Sequence, residues 1–265
     1  QNFLNAMQNY PELKGIQTNL YKCFLPQAWR WGNEQGNSGF LHPEGIYDDP
    51  KGGDFRAMVY PRLKAHFQFV NELNLFAEVD HHAKFSINVY RSRPENNSCF
   101  SNIANLFSPT TVDQSVQHDG AGAVPGIKDE NSKWNTKGHA SRIVEVDMKI
   151  LSTFAKLYDE PGTPAIQARL PAIHSQELIS VLEKFAAQPK RLGDLKGEYY
   201  SLEMWHETNA QNDGTIKRQT QFPESPEQWV LSGPHFFVGT PFYKTPRAEC
   251  TQNSHYDIQI GRAHV

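Results

Sequence analysis

The sequence predicts an α/β chain in two parts: half of an open sheet layered with helices over residues 1–95, then an α+β body over 141–259. Three observations carry this reading. Residues 18–90 alternate helical and strand-like patterns, as α/β units do. Residues 96–140 turn polar and Gly-bearing, as in Asn96-Asn97-Ser98 and in the run from His118 to Gly126, which predicts a linker or insertion with one short element near Ile103. Past residue 192 the chain shifts to short aromatic strands and turns.

The elements follow in order. Leu20, Phe24, Leu25 and Ala28 recur at helical spacing and predict a helix over 18–31, which Pro26 should kink or shorten. A strand over 39–47 runs into the Pro- and Gly-bearing turn His42-Pro43-Glu44-Gly45, and a helix follows over 55–66. Phe67, Phe69 and Val70 mark one apolar strand; Ile87, Val89 and Tyr90 mark another over 85–90. These two strands should be neighbours in a mostly parallel sheet. Ligands of open α/β sheets bind at the carboxyl ends of the strands, which makes the His42–Gly45 turn a candidate site loop. In the second part, residues 143–158 and 175–187 read as helices separated by Pro161, Pro164 and Pro171, Ser175 capping a stripe of Leu178, Leu182 and Phe185. Residues 198–205 and 229–239 read as strands, with a turn at Asn212-Asp213-Gly214.

Composition narrows the class. A chain of 265 residues with 38% hydrophobic and 12% aromatic residues can bury a substantial core. Its 26 Lys and Arg against 29 Asp and Glu leave a net charge of −3, so contact with a polyanion must be local. Cys23, Cys99 and Cys250 lie far apart with no paired metal spacing, which argues against a disulfide framework or structural zinc and fits a reducing cytoplasm. No run approaches the ~18 apolar residues of a spanning helix. Gln1 suggests an internal start, and residues 260–265 are what a common sequencing-adapter string encodes, so that tail is set aside.

Residues 18–25 (Thr-Asn-Leu-Tyr-Lys-Cys-Phe-Leu), residues 39–45 (Gly-Phe-Leu-His-Pro-Glu-Gly) and the strand ending Asn88-Val89-Tyr90, in that order, resemble adenine-specific DNA methyltransferases of restriction-modification systems. Residues 231–247 look like a segment from the recognition part of large members. The resemblance implies the C-terminal half of a Rossmann-like methyltransferase sheet followed by a target-recognition domain. It also implies S-adenosyl-L-methionine as methyl donor, double-stranded DNA as substrate, and a restriction endonuclease subunit or domain as partner. Such enzymes extrude the target base at a cost of a few kcal/mol. By position Tyr90, and second to it Phe85, would stack on the flipped adenine, while His42 and Pro43 would shape its pocket. On that view the ring face of Tyr90 matters and phenylalanine should replace it. Thr18, Asn19 and Tyr21 match the helix start beside the cofactor pocket. Lys217, Arg218, Lys244 and Arg247 would touch phosphates. The Gly-bearing donor turn and the catalytic Asn/Asp-Pro-Pro-aromatic motif do not precede Thr18; Thr240-Pro241-Phe242-Tyr243 echoes the latter without its acceptor group and in the wrong order. The expectation is therefore an inactive fragment whose catalytic motif lies upstream of Gln1.

Two other classes compete. A non-catalytic DNA specificity subunit would use the same basic residues. Asp80-His81-His82 after an apolar strand resembles the signature of DHH-type phosphoesterases, which bind manganese to activate water, although only Asp48-Asp49 is available as a further acidic pair. Serine-hydrolase, P-loop and HExxH motifs are absent from the sequence.

Overall fold

The computed structural model describes residues 9–17, 19–195 and 207–215. The chain divides into two compact units, residues 1–191 and 192–265. Of the second, the described part holds a short helix, Glu207–Asn212, and the turn after it, where Gly214 takes a φ of 81° that favours glycine.

The first unit is built on one five-stranded sheet. Its elements in chain order are α1 (Leu20–Trp31), β1 (Asn37–Pro43), α2 (Gly53–Val59), β2 (Leu63–Val70), β3 (Lys84–Arg91), β4 (Phe100–Leu106), α3 (Thr110–Gln117), β5 (Val144–Val146), α4 (Met148–Tyr158) and α5 (Glu177–Ala186). The strand order is β1-β3-β2-β4-β5. Residues 67–70 and 85–90 are indeed neighbours, but the mostly parallel sheet is not observed. Only the β2–β4 pair is parallel; β1–β3, β2–β3 and β4–β5 are antiparallel. The reason is the connection: β2 and β3 are joined by a loop without a crossover helix, which turns the chain back on itself. The α2 crossover instead separates β1 from β2, which run the same way on either side of β3.

The expected domain boundaries also change. Residues 96–140, read as a linker, contain β4 at the sheet's interior and α3 against it. The helix expected from 143 starts at Met148, because Val144–Val146 is spent as an edge strand and Asp147 caps the helix by accepting from the Ile150 N–H at 2.9 Å. Segment 165–173 packs back on the first part. Arg56, fully buried, donates from Nε to the Gln167 carbonyl at 2.9 Å, the Tyr60 hydroxyl donates to the Ala168 carbonyl at 2.6 Å, and Leu170 N–H donates to the Tyr47 carbonyl at 3.1 Å.

The sheet has two unlike faces. One carries the main core, where Cys23, Leu25 and Trp29 of α1, Phe55 and Val59 of α2, and Leu151 and Phe154 of α4 meet Leu63, Tyr90, Phe100 and Val144. On α1 only Leu25 of the apolar stripe read from the sequence is buried; Leu20 and Phe24 face outward. Pro26 lies inside that helix. The other face holds a smaller cluster of Phe69, Phe85, Ile103 and Leu106. Among the described residues no helix is long and apolar enough to cross a membrane.

Candidate functional site

The strand registers place a polar stripe on the main-core face. His42, Ser86 and Gln68 lie side by side on β1, β3 and β2, and Asn88, His66 and Asn102 lie side by side on β3, β2 and β4. Polar residues two apart on strands normally face water; here all six are buried. Buried polar groups are kept only when they find partners, and these find one another.

Glu44, just past β1, is 6% exposed. Its Oε1 lies 3.2 Å from His66 Nε2, and Oε2 accepts from Gln68 Nε2 at 2.9 Å. His66 Nδ1 sits 2.7 Å from Asn102 Oδ1. Burial alone pushes the Glu44 carboxyl up; His66 and the hydrogen bonds from His66, Ser86 and Gln68 outweigh it and hold the group at about 2. Glu44 is therefore an ionised carboxylate enclosed in protein.

A second chain of contacts starts at His42. Nδ1 is 2.8 Å from the Pro43 carbonyl, Nε2 is 2.9 Å from the Tyr90 hydroxyl, that hydroxyl is 2.8 Å from the Tyr47 hydroxyl, and Tyr47 donates to Asn88 Oδ1 at 2.6 Å. Four contacts need four protons, whereas a neutral imidazole and two phenols supply three. A protonated His42 would complete the relay. It would also bury a cation, and removing a charge from water costs several kcal/mol against ~1.5 to 3 kcal/mol for a hydrogen bond to a charged group. Desolvation wins. Burial lowers His42 to about 4, the Pro43 carbonyl opposing only in part, so at neutral pH the ring donates from Nδ1 and offers Nε2 to the Tyr90 hydroxyl. Burial likewise raises the Tyr47 and Tyr90 phenols far above their ordinary range.

The expected site residues thus divide. Tyr21 on α1 stacks on His42 at 5.2 Å with an interplanar angle of 22°, so Tyr21, His42 and Tyr90 do come together. Tyr90 is 0% exposed, with Phe40, His42 and Trp29 around its ring. The expected role as a base-stacking surface needs an open ring face, and this ring has none; its hydroxyl makes the polar contacts, to His42 and Tyr47. Phe85 faces the other side of the sheet, stacked on Phe69 at 5.5 Å and edge-on to Phe76 at 5.1 Å, so it does not join the group. Pro43 is exposed at the strand end. Asn19 is exposed at the N-cap of α1 and makes no side-chain cap bond. Thr18, Lys217, Arg218, Lys244 and Arg247 lie outside the described residues, as do residues 231–247 and 260–265. Asp80, His81 and His82 lie on the exposed loop between β2 and β3, where Asp80 Oδ1 accepts from the His82 N–H at 2.7 Å.

Sequence reasoning missed Tyr47, His66, Gln68, Ser86, Asn88 and Asn102. A signal was present, the polar pairs at 66/68 and 86/88, but two-residue alternation also describes a solvent-facing strand. The assembled group offers an ionised carboxylate, a neutral imidazole, and two buried polar atoms without a protein partner, Gln68 Oε1 and Asn102 Nδ2. Tyr90→Phe should lower stability by about 1 to 3 kcal/mol by stranding His42 Nε2, while Tyr47 keeps its bond to Asn88 Oδ1. The check is the denaturant midpoint at unchanged m-value; an unshifted midpoint would show that the relay contributes nothing.

No family model matches the chain, and no curated protein does. Among solved structures it is similar to the M protein of the type I restriction enzyme EcoKI, at 14% identity and a TM-score of 0.34, covering 75% of this chain and 48% of that one. The chain thus spans about half the length of that protein.

Proposed function

We propose that this chain supplies the later part of the catalytic domain of an adenine-specific DNA methyltransferase in a restriction-modification or phage-defence system, followed by target-recognition sequence. The observation that carries the reading is convergence: three separated stretches that resemble that family meet at one ring, His42, on which Tyr21 stacks and to which Tyr90 bonds. In this reading the buried relay is a platform. It fixes the end of β1, so that exposed Pro43 and the backbone beside it stand rigidly at the pocket edge, while Phe85 supports the sheet from behind.

The donor side fits the same picture. S-adenosyl-L-methionine carries a sulfonium cation, and burial together with the carboxylates of Asp48, Glu44 and Asp49 raises the Tyr21 phenol; Glu44 is buried, so Asp48 and Asp49, the latter paired with Lys22 at 3.9 Å, form an acidic rim beside that residue. Tyr21, with Asn19 and Thr18, would line the donor side, and the rim would favour a cation. Lys217, Arg218, Lys244 and Arg247 would contact duplex DNA phosphates, a restriction endonuclease subunit or domain would be the partner, and the protein would act in the cytoplasm. β1 has one ladder side open among the described residues, where further strands of a fuller sheet would pair.

The test joins the chain to the sequence encoded immediately before it and measures transfer of labelled methyl from S-adenosyl-L-methionine to duplex DNA. The joined protein should yield N6-methyladenine and the chain alone should not. A joined protein that folds and binds DNA without binding the donor would overturn the enzyme reading in favour of a specificity subunit.

A further inference from the structure

We propose that Glu72, His81 and His82 form a binding site for a divalent transition-metal ion of the Zn2+ class, on the loop that joins β2 to β3. One ligand atom from each of the three lies within 4.8 Å of the other two. His82 Nδ1 and Glu72 Oε1 are 3.1 Å apart. Zinc binds histidine nitrogen at about 2.0 to 2.1 Å and carboxylate oxygen at about 2.0 to 2.2 Å, so ligands on neighbouring corners of a tetrahedron stand roughly 3.3 Å apart. That pair therefore needs to move only a few tenths of an ångström.

The donor set selects the ion. Two imidazoles and one carboxylate suit Zn2+, Co2+ or Ni2+ and leave further positions to water. Mg2+ and Ca2+ take oxygen ligands almost exclusively, and only Glu72 offers them here.

The loop backbone holds the two histidines in place. Asn71, fully buried, donates from Nδ2 to the carbonyls of Phe76 and Val79 at 2.9 Å and of Asp80 at 3.3 Å, while its Oδ1 accepts from the Phe76 N–H at 3.0 Å. Its own N–H donates to the Ala83 carbonyl at 3.1 Å, closing the loop. Asp80 Oδ1 accepts from the His82 N–H, so the backbone is pinned on both sides of the histidine pair. The His81 and His82 rings lie 3.8 Å apart by centroid. The His82 side chain is 71% exposed, and a surface ion pair of that kind contributes only about 0 to 1 kcal/mol, too little to gather three ligating groups for stability alone. A bound ion would staple the first turn of the loop to its last.

The experiment uses the full chain, treated with chelator and then titrated with ZnCl2 by calorimetry, with Co2+ as a spectroscopic substitute. Tight uptake of one ion, visible Co2+ bands of low-coordinate geometry and a raised melting temperature are expected. His81→Ala and His82→Ala should each weaken that uptake at least about tenfold, since losing even a group that orients a ligand costs about 10- to 100-fold. Both rings are exposed, so these variants should keep the wild-type circular dichroism. Equal uptake by wild type and both variants would place zinc at other histidines and overturn the site; so would absence of uptake, or an equal response to Mg2+.

Discussion

Glu44→Ala is expected to lower folding stability by about 1 to 3 kcal/mol for each of the two buried donors it leaves without an acceptor. That is a large share of the roughly 5 to 15 kcal/mol that holds an ordinary domain together. The loss is large because Glu44 has no substitute. Its two oxygens serve His66 Nε2 and Gln68 Nε2, and the Gln68 side chain already has one buried atom without a partner. Removing the carboxylate leaves both donors facing a void. Glu44→Gln keeps the shape and one acceptor and should fall between the two. Acid should reproduce part of the effect in the native chain. With the folded carboxyl held at about 2 against an ordinary 4.5, its stabilisation is fully present above pH 4.5 and is lost as pH falls through about 2. Denaturant melts of the three proteins at neutral pH decide the matter; a Glu44→Ala midpoint equal to wild type would mean that the carboxylate is solvated rather than built in.

The second large effect appears at milder acidity and belongs to His42. Its folded value is lowered to about 4 from an ordinary 6.5, so between those limits the unfolded chain binds more protons than the folded one. Stability from this group is therefore complete above pH 6.5 and declines as pH falls toward 4. Each pH unit in that window is worth about 1.4 kcal/mol, and on the order of 3 kcal/mol is lost across it. His174, also lowered by burial, adds to the same trend, so the discriminating comparison is with His42→Gln. Midpoints measured from pH 7 to 4.5 should fall less steeply in the variant. Identical slopes would assign the acid sensitivity to other groups.

Much of the first part of the chain was legible in the sequence. α1, β1, β2 and β3 appear near their expected places, because Pro, Gly and polar loops punctuate segments with clear apolar patterns, whereas the helix expected over 55–66 ends at Val59 and Leu63 to His66 already belong to β2. β4 was not legible. Ser101, Asn102 and Asn105 interrupt its apolar residues, and Asn105 takes a positive φ of 56°, so neither a continuous apolar run nor clean alternation survives. β5 has only three residues and merged with the helix pattern behind it, although Asp147 offered a cap at the true start. The buried polar group was legible at one point, the turn at His42, but its contacts were not. Whether Tyr90 offers its ring or its hydroxyl depends on what encloses it, and that is set by α1 and by Tyr47, distant in sequence.

The parallel ladder between β2 and β4 bears on how such a gene could be reshuffled. In the proposed reading, the target-recognition part would be the portion exchanged between relatives, and the polar stretch after residue 95 looks like a convenient seam. A crossover there would separate β2 from the strand that fills one of its two sides, and Asn102 from His66. Arg56 and Tyr60 would lose their carbonyl partners at residues 167 and 168 in the same event. Exchange that preserves the sheet must therefore fall beyond these ties, toward residue 192, where the compact units divide.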